Sequence, residues 1–144
     1  MEIATIGFTR SSAQHFFERL SLAGVRRLVD VRLNNVSQLA GFAKANDLAY
    51  FLDVICGIAY KHDVRLAPTE EMLKAYRDKE FDWQEYEHRF RNLMVERGVP
   101  AGVKKEPFEA KTALLCSEAD AEQCHRRLVA ELLASQWEAS VEHL

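Results

Sequence analysis

The sequence predicts an α/β protein: one domain over residues 1–144, built on an open, mostly parallel sheet of about five strands with helices on both faces. Three observations carry that prediction. Short apolar runs of strand length alternate with longer segments whose apolar residues recur at helical spacing. Glycines and capping residues sit where those segments should begin and end. The β-α alternation itself points to an open, mostly parallel sheet covered on both faces.

Ile3-Ala-Thr-Ile-Gly7 reads as the first buried strand, stopped by Gly7. Ser11-Ser-Ala-Gln14 offers a capping box to a helix striped by Phe16, Phe17, Leu20 and Ala23, with Gly24 just past its end. Leu28–Leu33 is the second strand, so the first third of the chain is a βαβ unit. Val36 to Ala45 is irregular, with Gly41-Phe42 as a turn carrying one aromatic anchor. Asn46 or Asp47 should cap a helix holding Leu48, Phe51, Leu52 and Ile55, closed by Gly57. Ile58–His62 then supplies a third strand.

Thr69 caps a helix with Met72, Leu73 and Tyr76. Asp82-Trp-Gln-Glu85 is a second capping box, and the helix behind it runs to Arg97 with Trp83, Tyr86, Phe90, Leu93 and Met94 on one face. That aromatic stripe reads as core. Gly98 to Lys111 has no periodicity and is either a mobile flap or a packed irregular segment. Thr112–Cys116 is a fourth strand; Asp120 should cap the last long helix, and Ala139–His143 is a final strand.

Composition narrows the function. A net charge of −3 gives no global attraction to nucleic acid or anionic membrane. The first apolar segment starts at Ile3, with no room for a signal peptide, and no run is long enough to span a bilayer. The expected location is the cytoplasm, and three cysteines at no scaffold spacing fit a reducing compartment. The oligomeric state is not legible.

The chemistry gathers in Thr112–Leu133, where Cys116, Glu118, Cys124, His125 and Arg126 surround one strand-to-helix turn. With a doubly wound strand order 3-2-1-4-5, the first strand and Thr112–Cys116 lie side by side, and a crevice opens at their carboxyl ends. Gly7, Thr9, Arg10, Asp30, Arg32, Asn35 and Arg126 then become ligand-binding candidates, and Cys116, Glu118 and His125 the catalytic ones. Asp30 and Arg32 have a plain alternative, a salt bridge closing the sheet end. Arg126 has Glu122 one turn before it, as an ordinary surface pair would. Cys116, Cys124 and His125 could instead hold a divalent metal such as zinc, with Glu118 nearby. Against that, Cys124 and His125 as successive helical residues should point about 100° apart.

The pattern Thr5-Ile-Gly7, Val29-Asp-Val-Arg32, Cys116-x-Glu118 and Cys124-His-Arg126 resembles the bacterial and archaeal family called domain of unknown function 488. The resemblance extends through Asn34-Asn35, Gly41-Phe42 and Leu66-Ala-Pro68. It implies a compact α/β domain with a polar pocket at these motifs, and no agreed activity. One departure stands out: many members resemble Gly-His-Ser/Thr after the first strand, where this chain has Gly7-Phe8-Thr9. A superficial likeness to rhodaneses lacks the Cys-centred anion loop that sulfur transfer needs.

The leading expectation is a domain that binds or processes a polar small molecule such as a nucleotide or nucleoside, as a hydrolase or transferase if it is an enzyme. The alternatives are a metal-binding structural or regulatory module, and a nucleic-acid accessory protein using Arg26, Arg27, Lys61 and Arg65 or the Lys104-Lys105 pair.

Overall fold

The computed structural model describes residues 1–36 and 40–144. Part of the expected irregular segment from Val36 to Ala45 therefore lies outside the described residues. Five parallel strands form one sheet: β1 (Glu2–Gly7), β2 (Arg27–Asp30), β3 (Ala59–His62), β4 (Thr112–Cys116) and β5 (Ser140–His143). Helices α1 (Ala13–Leu22), α2 (Ala45–Phe51), α3 (Glu70–Arg77), α4 (Trp83–Glu96) and α5 (His125–Trp137) connect them, so the α/β architecture is as expected.

The strand order is β3-β2-β4-β1-β5. This corrects the expected order 3-2-1-4-5: β4 does lie beside β1, but it is inserted between β1 and β2. Every residue of β4 is buried, which suits a central strand with a neighbour on each edge. The register sets Gly7 opposite Cys116 and Asp30 opposite Leu115, so three strand ends meet at one place.

Alternate residues of the strands enter two separate cores. Ala4, Ile6, Leu28, Ala113 and Leu115 pack under Phe16, Phe17 and Leu20 of α1 and Leu48 of α2. Ile3, Val29, Leu114 and Cys116 pack on the opposite face under Phe90 and Met94 of α4 and Leu128 and Leu133 of α5. The segment from 98 to 111 is packed, with Phe108 buried against Trp137.

Local chemistry explains most boundaries. Thr69 and Asp82 cap α3 and α4 through their side chains, and Gly98 follows α4 at φ +72°. Ser12, rather than Ser11, caps α1 by accepting from His15 N, and the Gln14 amide turns to Glu18 instead of closing a box. Neither Asn46 nor Asp47 caps α2: that helix starts at Ala45 and continues as a wider turn over Leu52–Cys56 before Gly57. Strand β2 stops three residues before Leu33 because the Asp30 carboxylate draws the Arg32 amide into a turn. Helix α5 starts at His125 with Cys124 at its cap, not behind Asp120. No helix among the described residues is long and apolar enough to cross a membrane.

Candidate functional site

A cavity of about 510 Å³ opens at the carboxyl ends of β2 and β4. Its floor comes from the 116–125 loop: Cys116, Ser117, Glu118, Gln123, Cys124 and His125. The facing wall is aromatic, with Tyr76 of α3 and Trp83 and Tyr86 of α4, and Arg77 stands exposed beside it. Trp83 and Tyr86 stack with ring centroids 5.0 Å apart. These aromatic residues belong to the stripe read as core. The stripe is core at Tyr86, Phe90 and Met94, with Trp83 packed against it, and Trp83 and Tyr86 also line the cavity.

Arg126 organises the floor. Its side chain is buried, and among the described residues no carboxylate pairs with it. Nε donates to Thr5 Oγ1, Nη1 to Glu118 O and to Cys116 Sγ at 3.6 Å, and Nη2 to Ala119 O at 3.2 Å. Thr5 Oγ1 in turn meets His143 Nδ1 at 2.6 Å. Burial lowers the guanidinium pKa to about 10, which still leaves it cationic at neutral pH. The expected surface pair with Glu122 does not form, because the loop carbonyls take the guanidinium inward; Arg127 does pair with Glu131, at 2.9 Å.

Gly7 is required by the same arrangement. A Cβ there would collide with the Glu118 carbonyl and with Arg126 Nη1. Thr9 continues the contact, its amide and hydroxyl both donating to Ser117 O. Beyond it, exposed Arg10 at φ 61° shares a second hollow of about 270 Å³ with Thr9 and Glu118. The Glu118 carboxylate is exposed at the rim of both cavities and has no hydrogen-bond partner among the described residues.

His125 is buried and neutral. Nε2 lies 2.7 Å from Val31 O, so Nε2 carries the proton and Nδ1 is left as an acceptor. Burial lowers its pKa to about 4. Cys116 and Cys124 are joined through their sulfurs, with Cα atoms 7.7 Å apart. Cys124 has extended backbone (φ −140°, ψ 137°), so it does not follow the helical spacing that set Cys124 and His125 about 100° apart. The ligand atoms of Cys116, Cys124 and His125 all lie within 4.8 Å of one another. Joined sulfurs, however, offer no thiolate, and this stands against the expected zinc set.

The other shoulder is an ionic knot that leaves one buried nitrogen, Arg32 Nη1, without a hydrogen-bond partner among the described residues. Arg32 grips Asp30 with two nitrogens, at 2.9 and 2.7 Å, and also donates to Ala43 O. Tyr60 donates to the same carboxylate at 2.7 Å, and Asn35 reaches the Tyr60 hydroxyl at 3.2 Å. Burial, followed by the bond to Asp30, raises the Tyr60 pKa to about 12. The Arg32 guanidinium rests on the Phe8 ring, 5.1 Å from its centroid. Arg32 therefore presents its fork to Asp30 rather than outward, which is the salt-bridge alternative.

A family model described as "Domain of unknown function DUF488" matches residues 12–133. The chain belongs to that family. The match covers the knot, the aromatic wall and the whole Cys116–Arg126 floor, and leaves out β1 and β5. No curated protein and no solved structure matches the chain. Phe8 is buried in the α1 core and touches the cavity. Of the basic residues, Arg27, Lys61, Arg65 and Lys104 line a separate pocket of about 210 Å³.

Proposed function

We propose that this DUF488 domain binds or processes a polar small molecule with a flat ring, of the nucleoside or nucleotide kind, in the 510 Å³ cavity. The observation that carries this reading is the cavity's two-sided lining: Tyr76, Trp83 and Tyr86 on one wall, Ser117, Glu118, Gln123 and His125 on the other. Aromatic walls hold ring faces, and the polar floor reads ring edges and hydroxyls. Exposed Arg77 would meet a phosphate at the mouth.

Glu118 is the group free to act. Its backbone is anchored by Arg126 while its carboxylate is uncommitted, a suitable arrangement for an acid/base or a nucleophile in hydrolysis or transfer. His125 Nδ1 accepts a hydrogen bond and stays neutral. Cys116 could act as a nucleophile only with the Cys124 bond opened. Arg126 is a positioning residue. The test is titration with adenosine and adenosine monophosphate followed by nuclear magnetic resonance: perturbation of the Trp83 indole and of Glu118 supports the reading, and a silent cavity overturns it. Turnover of a processed ligand should vanish in Glu118→Gln.

A second reading rests on the 4.8 Å clustering of Cys116, Cys124 and His125. When the sulfur pair is reduced, two thiolates and Nδ1 could hold zinc, with Val31 orienting the imidazole through Nε2. Zinc uptake that appears only with reductant and is lost in Cys124→Ser would support it; no uptake under reductant would remove it.

A further inference from the structure

Basic residues from three parts of the chain meet at one pocket that shares no residue with the 510 Å³ cavity. Lys61 of β3 lies opposite Val29, on the face covered by α4 and α5, and Arg27 enters β2 two residues before Val29. Lys104 comes from the packed 98–111 segment across the pocket.

The charges in this pocket do not balance. Asp63 is its only carboxylate among the described residues, and the Arg65 amide, Nε and Nη2 all donate to it, at 3.1, 3.0 and 2.7 Å. Arg27, Lys61 and Lys104 have no carboxylate partner among the described residues. Arg27 is the most demanding of the three. It is partly buried, with its guanidinium 5.0 Å from the Phe108 ring centroid, and its Nη1 is buried with no hydrogen-bond partner. A desolvated cation without an acceptor is costly unless an anion completes it. Three cations around a hollow of 210 Å³ fit a compact dianion with several acceptor oxygens.

We infer that Arg27, Lys61 and Lys104 form a binding site for a phosphate dianion, presented as free phosphate or as a phosphomonoester. The site is distinct from the proposed ligand cavity and does not depend on it. Its polar acceptors are the phosphate oxygens; the cations supply every donor, and no covalent step is involved.

The experiment follows the amide spectrum of the full chain during titration with inorganic phosphate, with sodium chloride matched for ionic strength. Saturable shifts at Lys61, Gly102 and Lys104, absent with chloride, are expected. Arg27→Gln with Lys61→Gln should weaken binding by about tenfold or more. Lys104→Gln, on the exposed side, should weaken it severalfold and guards against a folding defect in the double variant. Adenosine monophosphate separates the two sources: tighter binding than inorganic phosphate at the same amides assigns a phosphomonoester, and equal binding assigns the free ion. Shifts that never saturate, that match chloride, that survive both variants, or that succinate reproduces equally would overturn the inference. So would far tighter binding of a single-stranded oligonucleotide across this face, which would make the pocket part of a nucleic-acid surface.

Discussion

Two buried arginines flank the cavity, and they are held in opposite ways. Arg32 is neutralised by Asp30, which Tyr60 also satisfies, so the charges of the β2 shoulder are paired within it, although Arg32 Nη1 is buried without a hydrogen-bond partner among the described residues. Among the described residues Arg126 meets only carbonyls, a hydroxyl and a sulfur, and the loop it organises leaves Glu118 uncommitted. A charge-paired ionic knot holds a sheet end together. A cation that fastens a loop while leaving a carboxylate free prepares a surface for something else. On the proposed reading, the β4–α5 shoulder carries the ligand chemistry and the β2 shoulder is structural.

Breaking the knot should have the largest effect on stability. Asp30→Asn leaves the Arg32 cation buried without its counter-charge and should cost about 3–5 kcal/mol in urea unfolding. Ligand affinity should change little in whatever fraction remains folded. Gly7→Ala is expected to cost about 3 kcal/mol, because the obstacle is the Glu118 backbone and not a side chain that can turn away. Arg126→Met frees the carbonyls of Glu118 and Ala119 and should cost about 2–3 kcal/mol. Unlike Asp30→Asn, it should also abolish ligand binding, and equal loss of affinity in both variants would erase the contrast between the shoulders.

A pH dependence sharpens the comparison further. The folded His125 pKa of about 4 lies below its ordinary value of 6.5, so the unfolded chain takes up this proton first as pH falls. Stability is therefore lost progressively from about pH 6.5 down to about pH 4, by an amount approaching 3 kcal/mol from this residue. His125→Asn should flatten that part of the profile; an unchanged slope would mean the imidazole is accessible to protons in the folded state. Glu118→Gln should have the smallest effect on stability, within about 0.5 kcal/mol, because its carboxylate is exposed and unpartnered.

Much of the fold was legible because it rests on local chemistry. Thr69 and Asp82 announce α3 and α4 through side-chain caps, and Gly24, Gly57 and Gly98 mark turns at positive φ. Strand order was not legible in the same way. Whether β4 enters beside β1 alone or between β1 and β2 is decided by pairing over most of the chain length, and no local signal encodes it. Cys116, Glu118 and His125 were singled out by their density around one turn, and they do share the cavity. The role of Arg126 was hidden because a guanidinium one turn after Glu122 looks like a surface pair; only the path of residues 117–124 turns it inward. Trp83 and Tyr86 were hidden differently. A helical stripe shows which face is covered, and these residues are covered, but it does not show that its first turn also lines a cavity. Arg27, Lys61 and Lys104 met in one pocket only through the packing of the 98–111 segment.

The most direct test of the central claim is an amide and indole spectrum of the reduced and oxidised protein titrated with adenosine monophosphate, alongside Trp83→Ala and Glu118→Gln. The account predicts saturable shifts at the Trp83 indole and at residues 117–125, with affinity reduced by about tenfold or more in Trp83→Ala. Shifts confined to the Arg27, Lys61 and Lys104 pocket, or undiminished affinity in Trp83→Ala, would contradict it.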